Sequence, residues 1–375
     1  MLVMIDKSAS RRVAFPTHSA TLHRPPPVTP DAPLRTAIEQ LAAGSSLSTD
    51  GAAAAFEVVM RGDATPVQAA ALLMGLRAKG ETAEEVAGAA LALRRAMVRL
   101  DVADGGTMVD TCGTGGGRVG TLNLSTAAAF VVAGAGVRVA KHGNRSFTSR
   151  SGSADVLEAL GVEIELAPDR AAAVLNAVGL VFLFAPRYHP AMRHVGAVRR
   201  ELAVPTIMNL LGPLANPAGV QRQVIGVADP VRAPLMAAAL AWLGARHALV
   251  LHAEIGMDEV SPCGPTGVWE VRGGAVQRWS LDPADYGLEC ADLEGLAGGE
   301  PAENAARIEA LLAGEGSRAA RCAVLLNAAA ALYVSGNGWT MGDAAELARV
   351  ALESGAARDA LERLRQAAPR GAAVR

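Results

Sequence analysis

The chain has 375 residues, with 35 basic and 37 acidic side chains and a formal net charge of −2. That balance excludes the basic excess on which polyanion binders rely, and 3% aromatic residues are too few for stacking platforms on single-stranded nucleic acid. Hydrophobic residues make up 51%, enough for a large core, which excludes a disordered or fibrous chain.

Residues 1–33 carry Pro16, Pro25, Pro26, Pro27, Pro30 and Pro33, which forbid regular structure, so a disordered tail is expected there. Residues 34–103 read as helix only. Thr65 is an N-cap with Pro66 at the first helical position. Thr82-Ala83-Glu84-Glu85 is a capping box for the next helix. This predicts a small all-helical domain.

From 104 to 375 the pattern is α/β. Short apolar runs at 108–110, 137–141, 180–184, 223–227 and 248–251 alternate with helical patterns or glycine-rich turns. That rhythm predicts βαβ units and a largely parallel sheet flanked by helices. Residues 187–218 break it. They are helical and rich in Arg and Pro, and about 190–217 is expected to fold back onto the N-terminal helices. The chain is helical again from 302. The longest apolar runs, 127–137 and 233–245, fall short of the roughly 18 residues a membrane span needs. Cys112, Cys263, Cys290 and Cys322 form no CxxC pair and read as reduced thiols of a cytoplasmic protein.

Four segments carry chemistry. Residues 110–126 end a strand at Asp110, pass through a glycine-rich loop and open a helix near Ser125 and Thr126. Bare amides at a helix start attract phosphate, and glycines let the ligand come close. Gly115-x-Gly117-x-x-Gly120 formally matches the dinucleotide fingerprint, but the position that should be acidic, at the end of the second strand, is Lys141. A lysine there suits phosphate rather than a ribose diol. Residues 141–155 follow that strand and offer Lys141, Arg145 and Arg150 as charges, with Ser146, Ser149, Ser151 and Ser153 as hydrogen-bonding groups: a second phosphate loop. Residues 187–217 supply His189, His194, Arg199 and Arg200, and a guanidinium fork is the best receptor for a planar carboxylate. Asp258 and Glu259, adjacent after a strand, can present two carboxylates to Mg²⁺.

Together these segments resemble the anthranilate phosphoribosyltransferase family. GTGG at 113–116, NLST at 123–126, KHGNR at 141–145, SGSADVLEALG at 151–161, HPAMRHV at 189–195, NLLGPL at 209–214 and MDE at 257–259 carry the likeness, which runs from about residue 35 to 365. The resemblance implies a nucleoside phosphorylase/phosphoribosyltransferase-like fold, a homodimer and Mg²⁺. The reaction it implies transfers phosphoribosyl from 5-phosphoribosyl 1-diphosphate to anthranilate, in tryptophan biosynthesis. It places the diphosphate donor at Gly113, Gly116, Gly117, Thr121, Asn123, Leu124, Ser125, Thr126, Lys141, Ser149 and Ser153. Anthranilate falls to Gly113, Asn144 and Arg199, and Mg²⁺ to Ser125, Asp258 and Glu259. No side chain acts as nucleophile. Lys141, His142 and Arg199 position the substrates, and His142, Tyr188 and His189 line the acceptor path. The family loop normally continues GTGG-Asp-Gly, whereas Gly117 and Arg118 stand here. A pyrimidine nucleoside phosphorylase and a non-catalytic nucleic-acid-binding relative remain as alternatives; Arg199 beside NLLGPL and the Asp258–Glu259 pair disfavour the first, and the charge balance and the intact phosphate loops the second.

Overall fold

A computed structural model describes residues 31–102, 107–117, 119–146 and 150–371. Most of the expected tail, together with Arg118 and Ser149, lies outside the described residues.

Four helices come first: α1 (Ala32–Ala42), α2 (Thr49–Arg61), α3 (Pro66–Lys79) and α4 (Ala83–Ala96). Their starts follow from local chemistry. The Thr65 hydroxyl accepts from the Gln68 amide at 3.2 Å and the Gln68 side chain answers at 2.9 Å. Thr82 and Glu85 close the same box for α4. Glu85 is fully buried and also takes the Leu47 amide at 2.8 Å and Lys79 Nζ at 3.0 Å, so its charge is answered on every side.

The remainder alternates strands and helices: β1 (Met108–Gly113), α5 (Leu124–Gly134), β2 (Arg138–Gly143), α6 (Ser153–Ala159), α7 (Pro168–Val178), β3 (Leu180–Phe184), α8 (Ala185–Tyr188), α9 (Arg193–Leu202), α10 (Met208–Leu214), β4 (Arg222–Gly226), α11 (Ala233–Trp242), β5 (His247–Ala253), β6 (Thr266–Arg272) and β7 (Ala275–Leu281). Helices α12 (Pro301–Leu312), α13 (Arg318–Val334), α14 (Met341–Glu353) and α15 (Ala356–Ala367) complete the chain. The sheet order is β3-β2-β1-β4-β5-β6-β7. The five strands expected from the sequence are mutually parallel. The β6–β7 hairpin is antiparallel and was not expected. Gly273 and Gly274, both at positive φ, make its two-residue turn.

Alternation along the strands splits the core. Ile225, Ala248 and Val250 face a cluster built with α1–α4, α9, α10 and α11. Val224, Leu249 and Leu251 face the other, with α5, α7 and α12–α15. Val195, Val198, Leu210, Leu211 and Leu214 present their apolar side to the cluster that the N-terminal helices build.

Candidate active site

The strand order reverses between β1 and β4, and the loops after β1, β2 and β5 leave the sheet at its carboxyl edge. That is where open α/β sheets bind ligands. Ser125, Asp258 and Glu259 line one recess there of about 10 Å³, a water-sized space, with Thr111 and Cys112. The donor set is hard oxygen, and it fits a small divalent cation. Glu259 accepts from Thr121 Oγ1 at 3.0 Å and from the Ser125 amide at 3.1 Å. Burial, and then the neighbouring Asp258 charge, push its carboxyl up to about 8. Burial raises Asp258 as well. Two buried carboxylates that repel each other are what a cation relieves. No group of three or more His, Cys, Asp or Glu that could hold a metal occurs among the described residues, so the remaining ligands must come from hydroxyl, water or substrate oxygens.

Lys141, two residues before the end of β2, donates its ammonium to the Thr111 carbonyl and to Ser125 Oγ, the latter at 3.2 Å. Burial pushes it down, while Asp110, Cys112 and Glu259 pull it up. Asp110 lies beneath it, held by the His142 amide at 3.2 Å and Asn216 Nδ2 at 2.8 Å. Helix α5 opens at Leu124, with Asn123 before it. Asn123 is a tether: it donates to the Ser151 carbonyl at 3.0 Å and accepts from Asn304 Nδ2 at 2.9 Å. Gly113 and Gly117 pack against the Asp258 carboxylate, and Gly116 stands in open space. Ser153 donates to the Asn144 carbonyl at 3.3 Å.

Several placements differ from expectation. Arg145 does not face an incoming phosphate: it pairs with Asp155 at 3.0 Å and Glu158 at 2.5 Å, because the SGSAD helix start folds back over it. Thr126 is buried, and its hydroxyl has no partner among the described residues. Tyr188 is fully buried and donates to the Leu166 carbonyl at 3.3 Å, which takes it out of an open path. His142 Nδ1 lies 3.2 Å from the Gly212 carbonyl and its Nε2 3.2 Å from His189 Nε2, so the pair stitches β2 to the segment that packs on the helical layer. Burial lowers His142 to about 3 and His189 to about 4, and both are neutral at pH 7. Arg199 is half-buried on α9 and makes no side-chain hydrogen bond or ion pair among the described residues, and burial lowers its guanidinium.

The motifs did not point to the segment 294–304. It pins the glycine loop through Leu122 N to Leu296 O at 2.9 Å, Gly298 N to Gly120 O at 3.0 Å, and Asn304. Only Gly298-Gly299 hinted at a close approach. Asn327 of α13 brackets Val260, accepting from its amide at 3.0 Å and donating to its carbonyl at 2.9 Å, and so holds the Asp258–Glu259 loop.

Residues 35–97 match the glycosyl transferase family, helical bundle domain, and residues 105–358 match the glycosyl transferase family, a/b domain. A curated relative from Rubrobacter xylanophilus, named anthranilate phosphoribosyltransferase, is 50% identical over 90% of this chain and 100% of its own length. The chain belongs to the anthranilate phosphoribosyltransferase family. A relative of the same name from Roseiflexus sp. is 50% identical over 88% of this chain and 97% of its own length. The anthranilate phosphoribosyltransferase of Thermus thermophilus superposes with a TM-score of 0.83 at 45% identity, covering 88% of this chain and 98% of that one. The Saccharomyces cerevisiae enzyme, solved in complex with PRPP and Mg, gives 0.81 at 29% identity over 90% of this chain and 98% of its own.

Proposed function

We propose that the groups at the carboxyl edge of the sheet share out the family's reaction. That reaction transfers the phosphoribosyl group from 5-phosphoribosyl 1-diphosphate to anthranilate, in tryptophan biosynthesis. The observation that carries the assignment is the recess shared by Ser125, Asp258 and Glu259, with Lys141 bonded to Ser125 at its rim.

The glycine loop 113–117 and the amides opening α5 receive the diphosphate, which carries the developing negative charge as the bond to ribose breaks. Lys141 adds a fixed positive charge there. Ser125, Asp258 and Glu259 would hold Mg²⁺, which when bound neutralises charge on the leaving diphosphate. Arg199 holds the acceptor carboxylate: its guanidinium has no other partner among the described residues, and a planar fork suits a planar anion. The aromatic amine is nucleophilic when neutral and needs no activated side-chain nucleophile. Catalysis is then largely positioning of two substrates. The neutral His142–His189 pair keeps positive charge away from that amine.

The working form is a homodimer. Val67 and Met74, two helical turns apart on α3, are 79% and 37% exposed and suit a second copy. All four cysteines are free thiols, which fits a reducing cytoplasm, and no described helix is long and apolar enough to cross a membrane. Mixing protein, anthranilate, donor and Mg²⁺ should extinguish anthranilate fluorescence. Persistence of the signal, with diphosphate absent from the products, would overturn the assignment.

A further inference from the structure

At the other end of the sheet from this recess, a cavity of about 300 Å³ opens before β4. Its wall is made by the two chain crossings between the helical layer and the sheet. One is the segment leaving α4, with Arg99, Leu100 and Asp101. The other is the turn 216–221 between α10 and β4. Leu240 and Leu243, at the end of α11, close the third side. The volume is in the range of about 300–1,000 Å³ typical of small-molecule sites.

Two guanidiniums line this cavity, and neither is in an ion pair among the described residues. Arg94, half-buried, donates Nε to the Leu214 carbonyl at 2.6 Å, and its other N–H groups make no hydrogen bond there. Arg99 is exposed and makes no side-chain hydrogen bond and no ion pair among the described residues. Burial, and then the Arg99 charge, hold Arg94 below its usual value. Asp101 is the only carboxylate among the described lining residues, and it pairs with neither. A half-buried positive charge with a second cation beside it is costly to keep unless something answers it.

We propose that this cavity binds a small monocarboxylate with an apolar body, the carboxylate on Arg94 and Arg99 and the body against the half-buried Met97 and Leu243. A bare phosphate would satisfy the arginines and leave Met97 and Leu243 uncovered. The ligand would touch both interdomain crossings at once, so its occupancy biases their relative position and couples to substrate binding at the opposite edge.

The test uses 4-bromobenzoate. In soaked crystals, anomalous bromine signal beside Met97 and Leu243 is expected. Signal only beside Arg199, or none, overturns the proposal. In solution, titration calorimetry is run on an Arg199→Ala background, which removes the acceptor-site receptor. Adding Arg99→Ala should weaken binding roughly tenfold or more, the scale of a lost charge-assisted hydrogen bond. Adding Asp101→Asn should tighten it, an outcome that misfolding does not produce. Equal affinity across all three proteins overturns the site.

Discussion

A β-carbon on Gly226 would stand 1.5 Å from the main-chain oxygen of Asp258. The last residue of β4 is therefore bare because the Asp258–Glu259 loop lies directly across it. Gly226→Ala must lift that loop and move both carboxylates from Ser125. Activity at fixed Mg²⁺ should fall roughly 10²-fold, the scale of losing one preorganised electrostatic element, with partial recovery at high Mg²⁺. Initial rates across a Mg²⁺ series check it.

Gly117 presents a milder version. A β-carbon there would meet Asp258 Oδ1 at 2.5 Å, the movable end of a side chain. Gly117→Ala should cost less than Gly226→Ala. Gly117→Asp, which restores the family residue, adds a carboxylate against Asp258 and should shift the Mg²⁺ optimum. A curve that overlays the wild type would remove Gly117 from the metal environment.

Alanine at both Asp258 and Glu259 should lower kcat by roughly 10²-fold or more, because no other carboxylate among the described residues lines the recess. Near-normal turnover would show that Mg²⁺ is held elsewhere.

Arg199→Ala should weaken transition-state binding by about 2–4 kcal/mol, the range for truncating a desolvated charge partner. The loss should appear in the KM for anthranilate and spare that for the donor. Steady-state kinetics with each substrate varied in turn separates the two.

The buried histidines make stability pH-dependent. His142 at about 3 and His189 at about 4 lie below the usual 6.5, so below pH 6.5 the unfolded chain binds more protons and stability falls until the folded values are passed. At pH 5 each costs about 2 kcal/mol relative to pH 7. The raised carboxyls of Asp110 and Glu259 work in the opposite direction. The clean measurement is therefore the difference in urea stability between wild type and His189→Gln, at pH 7 and pH 5. The gap should narrow in the variant's favour at pH 5.

The local chemistry of the chain determined a great deal of this molecule. The caps at Thr65 and Thr82 depend on residues three apart, and the parallel strands show as apolar runs because both their faces are buried. The motif clusters named the family and the loops that meet at the sheet edge. The β6–β7 hairpin escaped because β7 is largely exposed and its mixed residues carry no apolar run. Other features were decided only by long-range packing. Arg145 is consumed by Glu158, Asn123 is held by Asn304 across 181 positions, and Gly226 carries a loop that begins beyond β5. A charged or glycine residue looks the same in sequence whether it faces a ligand or another part of the chain. What it faces is set by the crossing of distant segments, and only the assembled sheet with its helical layer fixes that crossing.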